Sequence, residues 1–297
     1  MQDILFYKSI VNGFDYSEQQ FELIHSDLKE SIDIFAYITN GIWQENIQDS
    51  DWKYSTETLA KKYLVQSSTL LGILLGTELD FKKLSKRIVL IDLSTIYITL
   101  RALIENYLVL HYLYFEDIPE EEKRMRWIIY QLSGIKSRRS ITDSNLKYEK
   151  KTIILEREKK QEAELLKELE TNPYYQKISE ESKKYIRKNN LAKVKNWADI
   201  ISSSKLNQNN FHRIWKLYSN YAHSEYLSVI QIYDYMANPE ETISVRNLTL
   251  FFTLTLTCVL IVDFSNLYKE LQEYFDKLDD NQKRIIKLFY SLGKNAS

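Results

Sequence analysis

Apolar positions recur at helical spacing through most of the chain. Ile24, Leu28, Ile32 and Phe35 share one face. This predicts a helix from Ser17 to about Thr39, with Asn40-Gly41 as its stop. A second helix is predicted over about 55–75, its apolar end calling for burial and Gly72 admitting a close neighbour. The stretch from Arg87 to Phe115, RIVLIDLSTIYITLRALIENYLVLHYLYF, is apolar on most sides. It reads as one long buried helix starting near Ser85. Asp117-Ile-Pro119 marks the next start, a capping Asp with Pro in the first turn. That helix continues to about Arg139, acidic at its beginning and basic at its end, as the helix dipole favours.

From Asp143 to about Leu169 the apolar positions are too sparse for a core helix, so an exposed helix is expected. Thr171-Asn-Pro173 stops it. A short Ser179-capped helix and a polar loop around 188–190 follow. Trp197 to Ser203 reads as a short helix, and Asn209 to Met236 as a helix broken near His223. Asn238-Pro239 opens a buried helix running to about Asp276, and Asp279-Asp280-Asn281 caps the last one. No series of strands is evident. The fold class is therefore all-α: a multi-helix bundle around a long buried central helix. The chain is expected to form one domain over 1–297, with 140–195 as a charged, mobile helical insertion.

Six Gly and three Pro in 297 residues agree with long helices and few tight turns. The 22 Tyr suit a core rim, ring buried and hydroxyl wet. The net charge of −1 gives no overall field toward nucleic acid or membrane. Residues 120–195 carry 20 Lys+Arg against 13 Asp+Glu, or +7, leaving −8 elsewhere. The single Cys258 excludes an intrachain disulfide and a cysteine zinc site. The N-terminal segment has no secretory pattern. The longest uncharged run, 247–262, is shorter than a membrane span needs. A cytoplasmic chain with no membrane contact is expected.

Four ionisable residues, Asp92, Arg101, Glu105 and His111, fall within the apolar central run, and buried charges need partners. Arg101 and Glu105 are four apart and share a helix face. They form either an internal salt bridge that fixes register or a site in which Glu105 holds the guanidinium toward a phosphate. His212, Lys216, Ser219, Asn220 and His223 form a polar stripe along a later helix. His223, between small neighbours, is the strongest acid/base candidate. Lys123, Arg124, Arg126, Lys136, Arg138 and Arg139 make a basic helix that could touch phosphates. No metal or cofactor motif, phosphate-binding glycine loop or nucleophile elbow is present.

Three segments together, RALIENYLVLHYL (101–113), EEEKRMRWIIYQLSGIKSRR (120–139) and YSNYAHSEYLSV (218–229), resemble a bacterial helical domain family of unknown function. More distantly they resemble HEPN domains. The resemblance implies stress or phage-defence roles, homodimers, and RNA or another protein as partner. It departs from the HEPN nuclease motif, because the next suitable His after Arg101 or Arg213 is ten positions away. Two functions follow. One is a binding or scaffold protein. The other is a metal-independent RNase with Arg101, Glu105 and His223 as catalytic residues and Asn220, His111, Arg138 and Arg139 as binding residues.

Overall fold

The central helix begins later than its apolar run does. In the computed structural model, Lys86–Leu90 is a strand (β2) paired antiparallel with Thr77–Phe81 (β1). The hairpin turns through a 3-10 segment, Lys82–Leu84, and Ser85 in the left-handed region at φ 49°. Glu78 and Arg87 form an ion pair across it. Exposed Asp92 then starts the helix by accepting the Thr95 N–H at 3.2 Å. The apolar signal that suggested helix from about Ser85 is here a β-branched strand, Ile88-Val89, on a mostly exposed hairpin.

The structure describes residues 17–45, 47, 55–142, 151–188, 191–237 and 239–294. The N-terminal 16 residues, the expected start at Asp143, the loop residues 189–190 and Asn238 lie outside it. The protein is all-α, and its described sheet is the two-stranded hairpin. In chain order the helices are α1 (Glu18–Gln44), α2 (Ser55–Leu74), α3 (Leu93–Leu110), α4 (Glu120–Thr142), α5 (Lys151–Thr171), α6 (Pro173–Lys177) and α7 (Glu180–Lys188). They are followed by α8 (Trp197–Ser203), α9 (Gln208–Ala222), α10 (Tyr226–Ala237), α11 (Pro239–Ser265), α12 (Lys269–Asp276) and α13 (Asp280–Gly293). A π-helical turn, His111–Phe115, continues α3.

The described residues fall into two compact units, one of those within 17–110 and 201–294, the other of those within 111–200. In the first, α11 packs on α1 and α13, and α3 on α2 and α9. Phe35 meets Tyr63 and Phe264 edge-on at the centre, and the Tyr63 and Thr257 hydroxyls are 3.0 Å apart. Thr249, Thr253, Thr255 and Thr257 of α11 are buried, and the last three each donate to the carbonyl four residues back. Those three hydroxyls are thus satisfied inside an apolar helix. Burial pushes the Cys258 thiol up to about 12, an inert core group.

Several helix ends differ from expectation. Gly41 does not stop α1. It lies inside the helix, and a Cβ there would meet Leu271 and Tyr274 at 3.1 Å. It is a packing glycine against α12. Gly72, expected to admit a neighbour, faces open space. The helix opened at Pro239 ends at Ser265, and α12 starts afresh at Lys269. α13 carries the expected cap, a reciprocal box between Asp279 and Gln282.

In the second unit, α5 lies along α4. Leu165 and Leu169 are buried, so its sparse apolar residues suffice for one packed edge. Asn172 caps α6 through Tyr174 and Tyr175 N–H and donates to the Glu121 carbonyl. Among the described residues, two helices, 93–115 and 242–265, are long and apolar enough to cross a bilayer, with 56% and 72% of those windows buried in the protein.

Candidate functional site

Arg101 and Glu105 pair as their four-residue spacing suggests. The Arg101 Nε donates to Glu105 Oε1 at 3.0 Å, and the two side chains are 19% and 30% exposed. The sequence did not identify the third member. Trp215, on α9, donates its indole N–H to the same Glu105 oxygen at 3.0 Å, and the guanidinium lies 5.7 Å from the indole ring. The signal was available, since Trp215 sits on the apolar face of α9 that must meet another helix. Glu105 is therefore a clamp between α3 and α9.

His223 lies elsewhere. It is the C-cap of α9, exposed, with its backbone N–H bonded to Ser219 O and Tyr221 O. It stands two turns beyond Trp215, about 12 Å along the axis. Asn220 spends its side-chain amide on the carbonyls of Lys216 and Leu217. His111 is buried in the π-helical turn. Arg138 is ion-paired with Glu158, and Arg139 donates to Glu162 at 2.8 Å. Arg124 makes a two-point contact with Glu168. The basic edge of α4 thus faces carboxylates of α5 and is largely neutralised.

A larger feature lies at the end of the hairpin. Val89, Leu90, Ile91, Asp92 and Leu93 form one wall of a groove, opposite Ile232 and Tyr235 of α10 and Thr242 of α11. Its volume is about 510 Å³. The lining is aliphatic, with a phenol, a hydroxyl and a carboxylate as its polar groups. Tyr235 also belongs to a tyrosine cluster. Its hydroxyl bonds that of Tyr97, which stacks on Tyr218 with ring centres 4.3 Å apart and meets Tyr221 edge-on at 4.6 Å. Burial, then the neighbouring tyrosines, push the Tyr97 hydroxyl far above the usual range. Burial likewise raises the Tyr218 and Tyr221 hydroxyls, so these and Tyr97 stay protonated. Periodicity could not reveal this groove, because its walls come from segments more than 130 residues apart in sequence.

Two buried ion clusters are structural. Arg126, one of the cations of the basic helix, is fully buried on α4. It bonds Glu122 through Nε at 3.0 Å and Nη2 at 2.5 Å, the Tyr112 carbonyl at 2.9 Å, and Glu116. It also stacks over the Tyr112 ring. Lys195 donates to the second Glu116 oxygen at 2.6 Å. Burial disfavours the Glu116 charge, but the hydrogen bonds from Arg126 and Lys195 outweigh it and hold the carboxyl below the usual range. In the first unit, Lys294 donates to Asp263 at 2.8 Å, Tyr107 Oη at 2.9 Å and Ser204 O at 3.0 Å. Tyr107 also donates to Asp263 at 2.7 Å, and burial raises its hydroxyl well above the usual range. This locks the end of α13 to α3 and α11.

Among the described residues, no group of three His, Cys, Asp or Glu side chains could hold a metal ion. The chain matches no family model, no curated protein and no solved structure. The helical-family and HEPN resemblance therefore assigns no role to any residue of the site.

Proposed function

We propose that the chain is a binding protein whose ligand site is the groove between β2, α10 and α11. One observation carries this reading: a cleft of about 510 Å³ with aliphatic walls and three polar groups at its edge. Small-molecule sites have this size and composition. The aliphatic wall favours an apolar body. Tyr235, Thr242 and Asp92 offer hydrogen bonds to one polar end. Asp92 is already bonded to Thr95, so the carboxylate is held in place before any ligand arrives. The test is a titration with the apolar dye 8-anilinonaphthalene-1-sulfonate. Saturable one-site binding is expected. Ile232→Arg should abolish it while far-UV circular dichroism stays unchanged. Non-saturable binding, or binding untouched by I232R, would remove the proposal.

The second reading, a metal-independent RNase, rests on the Arg101–Glu105 pair, while the two turns of α9 between Trp215 and His223 count against it within one chain. In it, His223 would remove the proton from a ribose 2′-hydroxyl and Arg101 would stabilise the phosphorane charge. Cleavage of a fluorogenic RNA in the presence of a chelator, lost in His223→Ala, would favour it. The groove reading expects no cleavage.

A further inference from the structure

We infer that the outward face of α10 is the seam of a homodimer, with a second copy of this chain as its occupant. α10 is apolar on two opposite faces. Ser228, Ile232 and Tyr235 turn inward and are buried or half-buried. Tyr226, Val229, Ile230 and Tyr233 follow the spacing i, i+3, i+4, i+7 and are 77%, 53%, 40% and 74% exposed. They form one stripe at the spacing on which a second helix packs. No charged residue lies between Tyr226 and Tyr233. That argues against nucleic acid and against an anionic lipid surface, both of which are held largely by cations.

The order of residues in the stripe points to a second copy. The segment YLSVIQIY, 226–233, reads nearly alike in both directions about the midpoint between Val229 and Ile230. Tyr falls on Tyr, Leu on Ile, Ser on Gln and Val on Ile. A two-fold axis beside that midpoint, with the two helices antiparallel, sets Tyr226 against the Tyr233 of the second copy and gathers Val229 and Ile230 of both copies at the centre, while Ser228 and Ile232 turn inward and take no part. An isologous interface needs this self-complementarity. The area is also sufficient. Two tyrosines about three-quarters exposed supply roughly 300 Å². With Leu227, Val229 and Ile230 the patch reaches on the order of 500 Å² per copy. Two copies then bury about 1,000 Å² before any polar rim is counted, which meets the lower bound for a specific interface. The groove opens on the opposite side of α10, so this inference does not depend on what the groove holds.

Sedimentation velocity across micromolar concentrations tests it. A reversible dimer of the 35.4 kDa chain is expected. Ile230→Glu should raise the dissociation constant at least about 100-fold, the scale of losing a central anchor, with unchanged circular dichroism. Where I230E misfolds, Ile230→Cys decides. The buried native Cys258 thiol is pushed up to about 12 and stays silent. I230C should therefore form a disulfide-linked dimer under mild oxidation, while Asn281→Cys, exposed on α13, should not. A monomer at every concentration, or a dimer that tolerates I230E and fails to cross-link through I230C, overturns the inference.

Discussion

Trp215 and Arg101 donate to the same oxygen of Glu105, each at 3.0 Å. One carboxylate therefore joins the central helix to α9. Glu105→Ala would leave a guanidinium and an indole N–H without their acceptor. Both groups keep some access to water, so the cost is expected at about 1–2 kcal/mol. Urea denaturation would show it as a lower midpoint with an unchanged slope. An unchanged midpoint would mean that the clamp contributes nothing to the fold.

Arg126 should matter more. It is fully buried, and both its carboxylate partners are nearly so. Arg126→Ala would take the shared cation from Glu122 and Glu116, leaving Glu116 with Lys195 alone, and is expected to cost about 3–5 kcal/mol. Arg126→Lys should rescue little, because one ammonium cannot reproduce the fork that bonds Glu122, Glu116 and the Tyr112 carbonyl together. Equal stability of R126K and the unaltered protein in thermal melts would contradict this geometry.

His25 gives a pH dependence. It is half-buried beside Phe21, and burial lowers its pKa below 6.5, with Lys29 and Arg246 adding to the effect against a Leu71 backbone hydrogen bond. The folded state therefore binds this proton less readily than the unfolded chain. Its contribution is fully present above about pH 6.5 and is lost as pH falls through the lowered folded value. Glu116 acts at lower pH: its stabilisation is present above its ordinary 4.5 and is lost as pH falls through its depressed value. A stability profile of His25→Phe should lose the upper of these two slopes and keep the lower. Retention of both would assign the upper slope to another group.

Gly293 lets α13 approach α11. A Cβ there would come within 2.6 Å of Val259 and 2.9 Å of Thr255. Gly293→Ala should overpack this contact and destabilise by about 1–3 kcal/mol. Gly72→Ala, facing open space inside α2, should stabilise slightly through helix propensity. The same sign for both substitutions in denaturation experiments would contradict the packing described.

The helical architecture was legible because apolar spacing, caps and the shortage of Gly and Pro all agree. Asp279, Asn172 and the break at His223 fell where their chemistry places them. The hairpin was not legible, because Ile88, Val89 and Leu90 merge without punctuation into the apolar start of α3. Ser85 in a left-handed turn gives no sequence warning. Arg126 looked like one more cation on a basic helix, and Glu122 four residues earlier was the clue to its burial. Trp215 was placed on the correct face, but its partner Glu105 is 110 residues away. The groove and the tyrosine cluster share that difficulty, since the groove depends on how α10 meets the hairpin and the cluster on how α9 and α10 meet α3.

The central claim is that the groove, rather than the Arg101–Glu105 pair, receives the ligand. Amide NMR with the apolar dye as probe tests it most directly. Shifts should concentrate at 89–93, 232–235 and 242 and saturate together, leaving Arg101, Glu105 and the Trp215 indole signal unmoved. Shifts centred on Arg101, Glu105 and Trp215, with the groove silent, would contradict it.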